Sequence, residues 1–307
     1  MRRTTLLYIL LLSGIIWLAH CQKTIYTYDA EEPQFLSSPV VLEVTDTTAT
    51  IFWEMDEACH AKIKYGPTTK YGQICEVSEN RQRHWVTLSS LEPYTLYHYK
   101  VYNWDFANNG PLKSADLTFH TLHNEHSLVR EGWRCYAAGK LDSARYYYDN
   151  AYQISPLSAE IWACLGWWWL RNGQLDSACA HFSQALFFGP NQPVALAGLA
   201  TVAMVNNEPA KAISYLSTIL DAIPEWQYAY YPPLNHKRLR LQLAEAYFQT
   251  AQYFQAQQQL DLVWPANGLN PDITTTWKVN GVTYDSYAAA LFAAIEYCSG
   301  KFAKRKI

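Results

Sequence analysis

At 307 residues, half of them apolar and 15% aromatic, the chain has room for two or three domains and material for a core in each, which excludes a disordered chain. Its formal charge of −3 and pI near 6.3, with Lys and Arg scattered along the sequence, provide no basic stripe to hold a phosphate backbone, so nucleic acid is excluded as the expected partner.

The amino terminus reads as an export signal over residues 1–21: Arg2 and Arg3, an apolar run from Leu6 to Ala19 broken only by Ser13 and Gly14, then Cys21. Leu18-Ala19-His20-Cys21 resembles a bacterial lipoprotein box, which implies lipidation of Cys21 as the first mature residue. His20 departs from that pattern, where Gly, Ala or Ser is usual. Ordinary cleavage after Cys21, leaving Gln22 as the new terminus and a soluble periplasmic or secreted protein, is the competing outcome. The apolar run is shorter than the ~20 residues that span a bilayer, which disfavours an uncleaved anchor. The expected location is the cell envelope, with outer-membrane lipid anchoring as the leading form.

Residues 22–38 are polar, with Glu31, Glu32 and Pro33, and read as a tether. From Pro39, alternation in Ala49-Thr-Ile51-Phe-Trp53 and Tyr97-His-Tyr99-Lys-Val101 predicts strands, with turns at Gly66-Pro67, Glu92-Pro93 and Asn109-Gly110-Pro111. About seven short strands fit over residues 39–122. Thr48-Ala49-Thr50-Ile51-Phe52-Trp53, Tyr65-Gly66, Tyr71-Gly72, Leu88-Ser-Ser-Leu91-Glu-Pro93-Tyr-Thr95-Leu-Tyr97 and Leu117-Thr-Phe119 resemble a fibronectin type III domain, more narrowly the β-sandwich that precedes the catalytic domain of purple acid phosphatases. The resemblance implies a core Trp53 and a corner Tyr97 whose hydroxyl bonds back to the chain.

Over residues 125–264 a period dominates. Ala144, Ala178 and Ala212 lie 34 residues apart, and so do Pro156, Pro190 and Pro224. With Trp162-x-x-Leu165-Gly166-x-x-Trp169 and Ala178-x-x-x-Phe182, this is the pattern of the tetratricopeptide repeat, a helix-turn-helix unit stacked into an α-solenoid with a concave groove. Gly139-Lys-Leu-Asp142 and Gly173-Gln-Leu-Asp176 predict turns in which Gly ends one helix and Asp caps the next. About four repeats fit. Ala256 replaces the expected fourth alanine after an insertion of ten residues, placed at 228–237. Over 265–307, Asn280-Gly281 predicts a β-hairpin, followed by an alanine-rich helix from Asp285 to Cys298 that would cap the array. The fold class is therefore multidomain: an all-β, fibronectin type III-like sandwich followed by an all-α tetratricopeptide solenoid.

The candidate chemistry is sparse. Cys59, Cys75, Cys135, Cys164, Cys179 and Cys298 are even in number, but their spacing suits buried thiols better than bridges. His120, His123, Glu125 and His126 form the one weak metal candidate, set against a solvated polar linker. The Asp, Asn and His ligand motifs of a metallophosphatase are not found after Leu122, so an enzyme is not expected, and neither is a cofactor. Trp167, Trp168 and Trp169 span about 200° of helix and cannot all enter one core stripe. By the repeat register the groove receives Val129, Trp133, Tyr136, Ala163, Trp167, Leu170, Arg171, Thr201, Met204, Leu241, Glu245 and Phe248, while Trp169 packs between helices. These positions imply a protein or peptide partner of apolar or aromatic character. A surface glycan held by exposed aromatics is the rival. The inserted loop or the last helix filling the groove is the structural alternative.

Overall fold

The computed structural model describes residues 31–304, with side chains described to 300; the export-signal region and Cys21 lie outside the described residues. The chain divides between Thr121 and Leu122 into a β unit and a helical unit.

The β unit contains β1 (Phe35–Val44), β2 (Ala49–Gly66), β3 (Gln73–Leu88), β4 (Leu96–Asp105), β5 (Leu112–Lys113) and β6 (Leu117–His120). The first strand starts ahead of Pro39, which sits where the β1–β2 register is irregular, a place where its missing N–H costs no ladder bond. In place of seven short strands in two sheets, the described residues form six strands in one hydrogen-bonded sheet, because β2 and β3 are long. The inward residues Ile51, Trp53, Met55, Cys59, Ala61 and Ile63 run on without a breaker, and the register shifts between Glu54 and Ala61 absorb the bend. The first half of β2 pairs β1 and its second half pairs β4, while β3 follows it throughout. Gly66 is obligatory at the β2–β3 turn, since a Cβ there would lie 1.5 Å from the Tyr71 carbonyl oxygen. Trp53 is fully buried, and the Tyr97 hydroxyl accepts the Glu92 N–H at 2.9 Å.

The helical unit begins at α1 (Glu125–Ala137), which opens on a capping box between Asn124 and Ser127. It continues through α2 (Leu141–Ile154), α3 (Ala159–Arg171), α4 (Leu175–Phe188), α5 (Pro193–Val205), α6 (Pro209–Ala222), α7 (His236–Gln249) and α8 (Tyr253–Val263). These are four helical pairs of a tetratricopeptide-like solenoid. Ala144, Ala178, Ala212 and Ala256 are each fully buried within a pair. Every turn inside a pair passes through one left-handed residue: Gly139, Gly173, Asn207 and Ala251. The expected caps are corrected: Asp142 and Asp176 lie in the first turn of their helices, behind Lys140 and Gln174, so they face the positive helix end without capping it.

After α8 come strands β7 (Lys278–Val279) and β8 (Val282–Thr283), joined through left-handed Asn280 and Gly281, and then α9 (Tyr287–Lys304). Leu291, Ala294 and Ile295 of α9 share a core with Leu241, Ala244, Ala256 and Leu260, closing the apolar face that the fourth pair would otherwise expose. No helix among the described residues is long and apolar enough to cross a membrane.

Candidate functional site: the concave face and its inserted segment

The first helix of each pair supplies the concave face, and the structure sorts the predicted positions into two groups. Val129, Trp133, Tyr136, Ala163, Trp167 and Leu241 are buried; Leu170, Thr201, Met204, Glu245 and Phe248 are half-buried; Arg171 is exposed. What covers much of the first group is the segment between α6 and α7. Trp226, just ahead of the insertion, and Tyr228, Tyr231 and Leu234 within it are buried in the same core as Trp133 and Tyr136.

The insertion is anchored by specific contacts. Tyr231 stacks on Trp133 with ring centroids 5.2 Å apart and meets Tyr136 edge-on at 5.6 Å. Tyr228 packs edge-on against Trp133 at 5.3 Å and donates its hydroxyl proton to the Glu160 carboxylate at 2.7 Å. Burial, with Cys164 and then Glu160 beside it, pushes the Tyr228 phenol far above its ordinary pKa and keeps it a donor. The segment closes on itself through a bridge between Gln227 and Asn235, and Asn235 caps α7. The aromatic run Tyr228-Ala-Tyr-Tyr-Pro-Pro-Leu234 was the sequence signal for such an occupant, whereas nothing in the repeat pattern singled out Glu160 as its partner.

The tryptophan assignment is corrected. Trp167 does not face an open groove: it is 4% exposed, meets Trp133 at 6.3 Å and Phe182 at 6.0 Å, and donates its indole N–H to the Val194 carbonyl at 2.9 Å. Trp168 and Trp169 are the half-buried members, covered by the Arg145 guanidinium at 4.9 and 5.6 Å. Helix α3 has neighbours on several sides, so the third helix-A neighbour α5 claims a direction that a single-stripe argument leaves to solvent.

At the last pair, α9 reaches the predicted groove positions. Phe248 packs on Phe292 at 5.2 Å, and burial together with the nearby Glu296 raises the pKa of Glu245. Thr201 accepts a hydrogen bond from the Gln242 amide at 3.2 Å. The accessible remnant of the concave face is therefore Leu170, Arg171, Thr201 and Met204, with Arg171 lying over the Tyr136 ring at 5.3 Å.

The weak metal candidate is not assembled. His120 Nδ1 engages the Thr121 carbonyl oxygen at 2.9 Å and His123 Nδ1 engages the Ser127 hydroxyl at 3.0 Å, and no group of three or more His, Cys, Asp or Glu among the described residues could hold an ion. Among the described residues, Cys59, Cys75, Cys135, Cys164 and Cys179 are free thiols. Cys59 is pushed up to about 12 by burial and the neighbouring acids Glu57, Asp56 and Asp105, which leaves it unreactive.

No family model matches the chain, and no curated protein matches it. Among solved structures it is similar to a tetratricopeptide repeat protein from Parabacteroides merdae, at 20% identity and a TM-score of 0.38, covering 59% of this chain and 63% of that one. The chain thus spans less than two thirds of that protein. It is also similar to YrrB, a tetratricopeptide protein with an unusual peptide-binding site, at 16% identity and a TM-score of 0.40, over 59% of this chain and 91% of that one. An O-GlcNAc transferase mutant of Thermobaculum terrenum matches at 16% identity and a TM-score of 0.40, over 47% of this chain and 26% of that one. At these scores the fold assignment rests on the chain's own helix pairs, not on the likenesses.

Proposed function

We propose that this chain is an exported, lipid-anchored and non-enzymatic interaction protein of a bacterial cell envelope, in which a fibronectin type III-like module precedes a tetratricopeptide array that binds a partner polypeptide. The module reading is supported by strand connectivity: β1, the first half of β2 and the second half of β3 form one run of neighbours, and the first half of β3, the second half of β2, β4 and β6 form the other. The bond from the Glu92 N–H to the Tyr97 hydroxyl and the full burial of Trp53 support the corner and core roles of this reading.

The observation that carries the binding reading is the unequal filling of the concave face. The insertion fills its first half, while Leu170, Arg171, Thr201 and Met204 stay accessible as a strip of apolar contacts beside one cation. A partner segment with an apolar side chain and a carboxylate fits that strip, the carboxylate meeting Arg171. A photocrosslinker placed at Leu170 should label a partner in cells, and Met204→Asp should abolish the labelling. Labelling from a convex site such as Phe187, with none from Leu170, would sink this reading. Anchoring is tested separately, by the intact mass of the mature protein: acyl groups on Cys21 are expected, and a terminus at Gln22 refutes them.

A further inference from the structure

Sequence order scatters the lysines, but strand pairing gathers four of them. On the face of the β unit that turns away from Ile63 and Val101, Lys64 stands directly opposite Lys100, and the next row runs Lys62, Tyr102, Lys113 across β2, β4 and β5. Like charges directly opposite on paired strands are destabilising, and none of the ion pairs among the described residues involves Lys64, Lys100 or Lys113. The two carboxylates nearby are engaged: Glu76 pairs Lys62 at 3.0 Å, and Asp116 holds His98 at 2.8 Å and the Tyr71 hydroxyl at 2.9 Å. Lys64 and Lys113 lie over the Tyr102 ring at 5.2 and 5.9 Å, and Trp104 continues the aromatic row. The result is a sheet face on which four lysines and two carboxylates, Glu76 beside Lys62 and Asp116 near Lys100, leave a net positive charge interleaved with Tyr and Trp, on a protein whose net charge is negative.

We propose that this face of β2, β4 and β5 docks on anionic phospholipid headgroups. Lysines beside interfacial Trp and Tyr suit the headgroup layer, where cations meet phosphate and amphipathic rings sit at the boundary. A sugar chain would need carboxylate or amide groups free to bind hydroxyls, and the carboxylates here are taken. The proposal rests on the reading that Cys21 is acylated, because only a short stretch of chain separates Cys21 from Phe35 and brings the β unit to the bilayer. Acyl groups on Cys21 plus a basic patch would give membrane attachment two independent signals.

The test uses the full mature chain carrying Cys21→Ala, which removes any acyl group, and vesicles of phosphatidylcholine with or without phosphatidylglycerol. Sedimentation should show binding to the anionic vesicles only, reversed by salt, and reduced at least about tenfold by Lys64→Glu with Lys100→Glu. Lys140→Glu with Lys211→Glu, on the helical unit, should leave it unchanged. If the glutamate pair misfolds by circular dichroism, Lys64→Gln with Lys100→Gln decides, with a smaller loss expected. No binding by the starting protein, equal binding to neutral vesicles, or an unchanged affinity in the lysine variants overturns the proposal. So does lysine-dependent binding to a uronate polysaccharide without vesicle binding. Failure of acylation would show in the mass of the wild-type chain and leave the vesicle result standing.

Discussion

Gly166 lies against Phe182, and the close approach of α3 and α4 depends on it. A Cβ there would fall 2.5 Å from two ring carbons of Phe182, a side chain that is fully buried and whose ring tip abuts Gly198. Replacing glycine by alanine in a helix normally gains up to ~1 kcal/mol, but overpacking of this kind costs about 1–3 kcal/mol. Gly166→Ala should therefore destabilise the helical unit in denaturant titration; a stabilised variant would mean that Phe182 has room to move. Trp167→Ala removes a buried indole and its bond to the Val194 carbonyl, so a loss of about 3–5 kcal/mol is expected. Trp168→Ala, at a half-buried site, should lose clearly less. The motif Trp162-x-x-Leu165-Gly166 made the packing of this helix legible in the sequence. The role of Trp167 was not legible, because it is decided by α1 and α5, helices whose approach no local pattern encodes.

The elements follow the sequence where a local rule sets them and depart from it where a distant partner does. The 34-residue period placed the helix pairs, since each turn needs one left-handed residue at a fixed offset. At the fourth turn that residue is Ala251, with φ +59°, a conformation that costs a Cβ-bearing residue about 1–2 kcal/mol. Ala251→Gly should raise the melting temperature of the helical unit, where a glycine elsewhere in a repeat would lower it; a fall would show that the turn is not strained. Strands β2 and β3 run longer than the sequence predicts because turn residues mark ends but alternation does not mark bends. The lysine face was invisible for a related reason: Lys62, Lys64, Lys100 and Lys113 meet only through cross-strand register.

At the scale of the molecule, the β unit and the helical unit have separate cores, and they should differ in their response to acid. His84 is 1% exposed and stacks on Trp53 at 4.5 Å; burial lowers its pKa below the ordinary 6.5. The unfolded chain then binds a proton that the folded β unit resists. The stability contributed by neutral His84 is complete above pH ~6.5 and is lost progressively as pH falls below that value, until the lowered native pKa is passed. Hydrogen exchange at pH 8 and pH 5 should show β2 and β3 opening more readily in acid, with α5 and α6, which carry no histidine, far less affected. His84→Phe should remove most of the difference. An acid response confined to the helices would contradict the assignment.

Repeat arrays ordinarily behave as one-dimensional stacks, in which each unit feels only its neighbours and the ends can fray independently. The bond from Tyr228 to Glu160 crosses 68 residues of sequence and ties the connection before the fourth pair to the second, while the rings of Tyr228 and Tyr231 on Trp133 tie it to the first. That tie turns an open stack into a closed loop of contacts. Fraying from the carboxy-terminal side cannot pass α7 without withdrawing Trp226, Tyr228, Tyr231 and Leu234 from the core around Trp133. The helices from α1 to α7 should therefore open as a single cooperative unit, not in steps. A force applied to the ends of the helical unit would meet one large event in place of a staircase, and the concave face would keep its curvature under load.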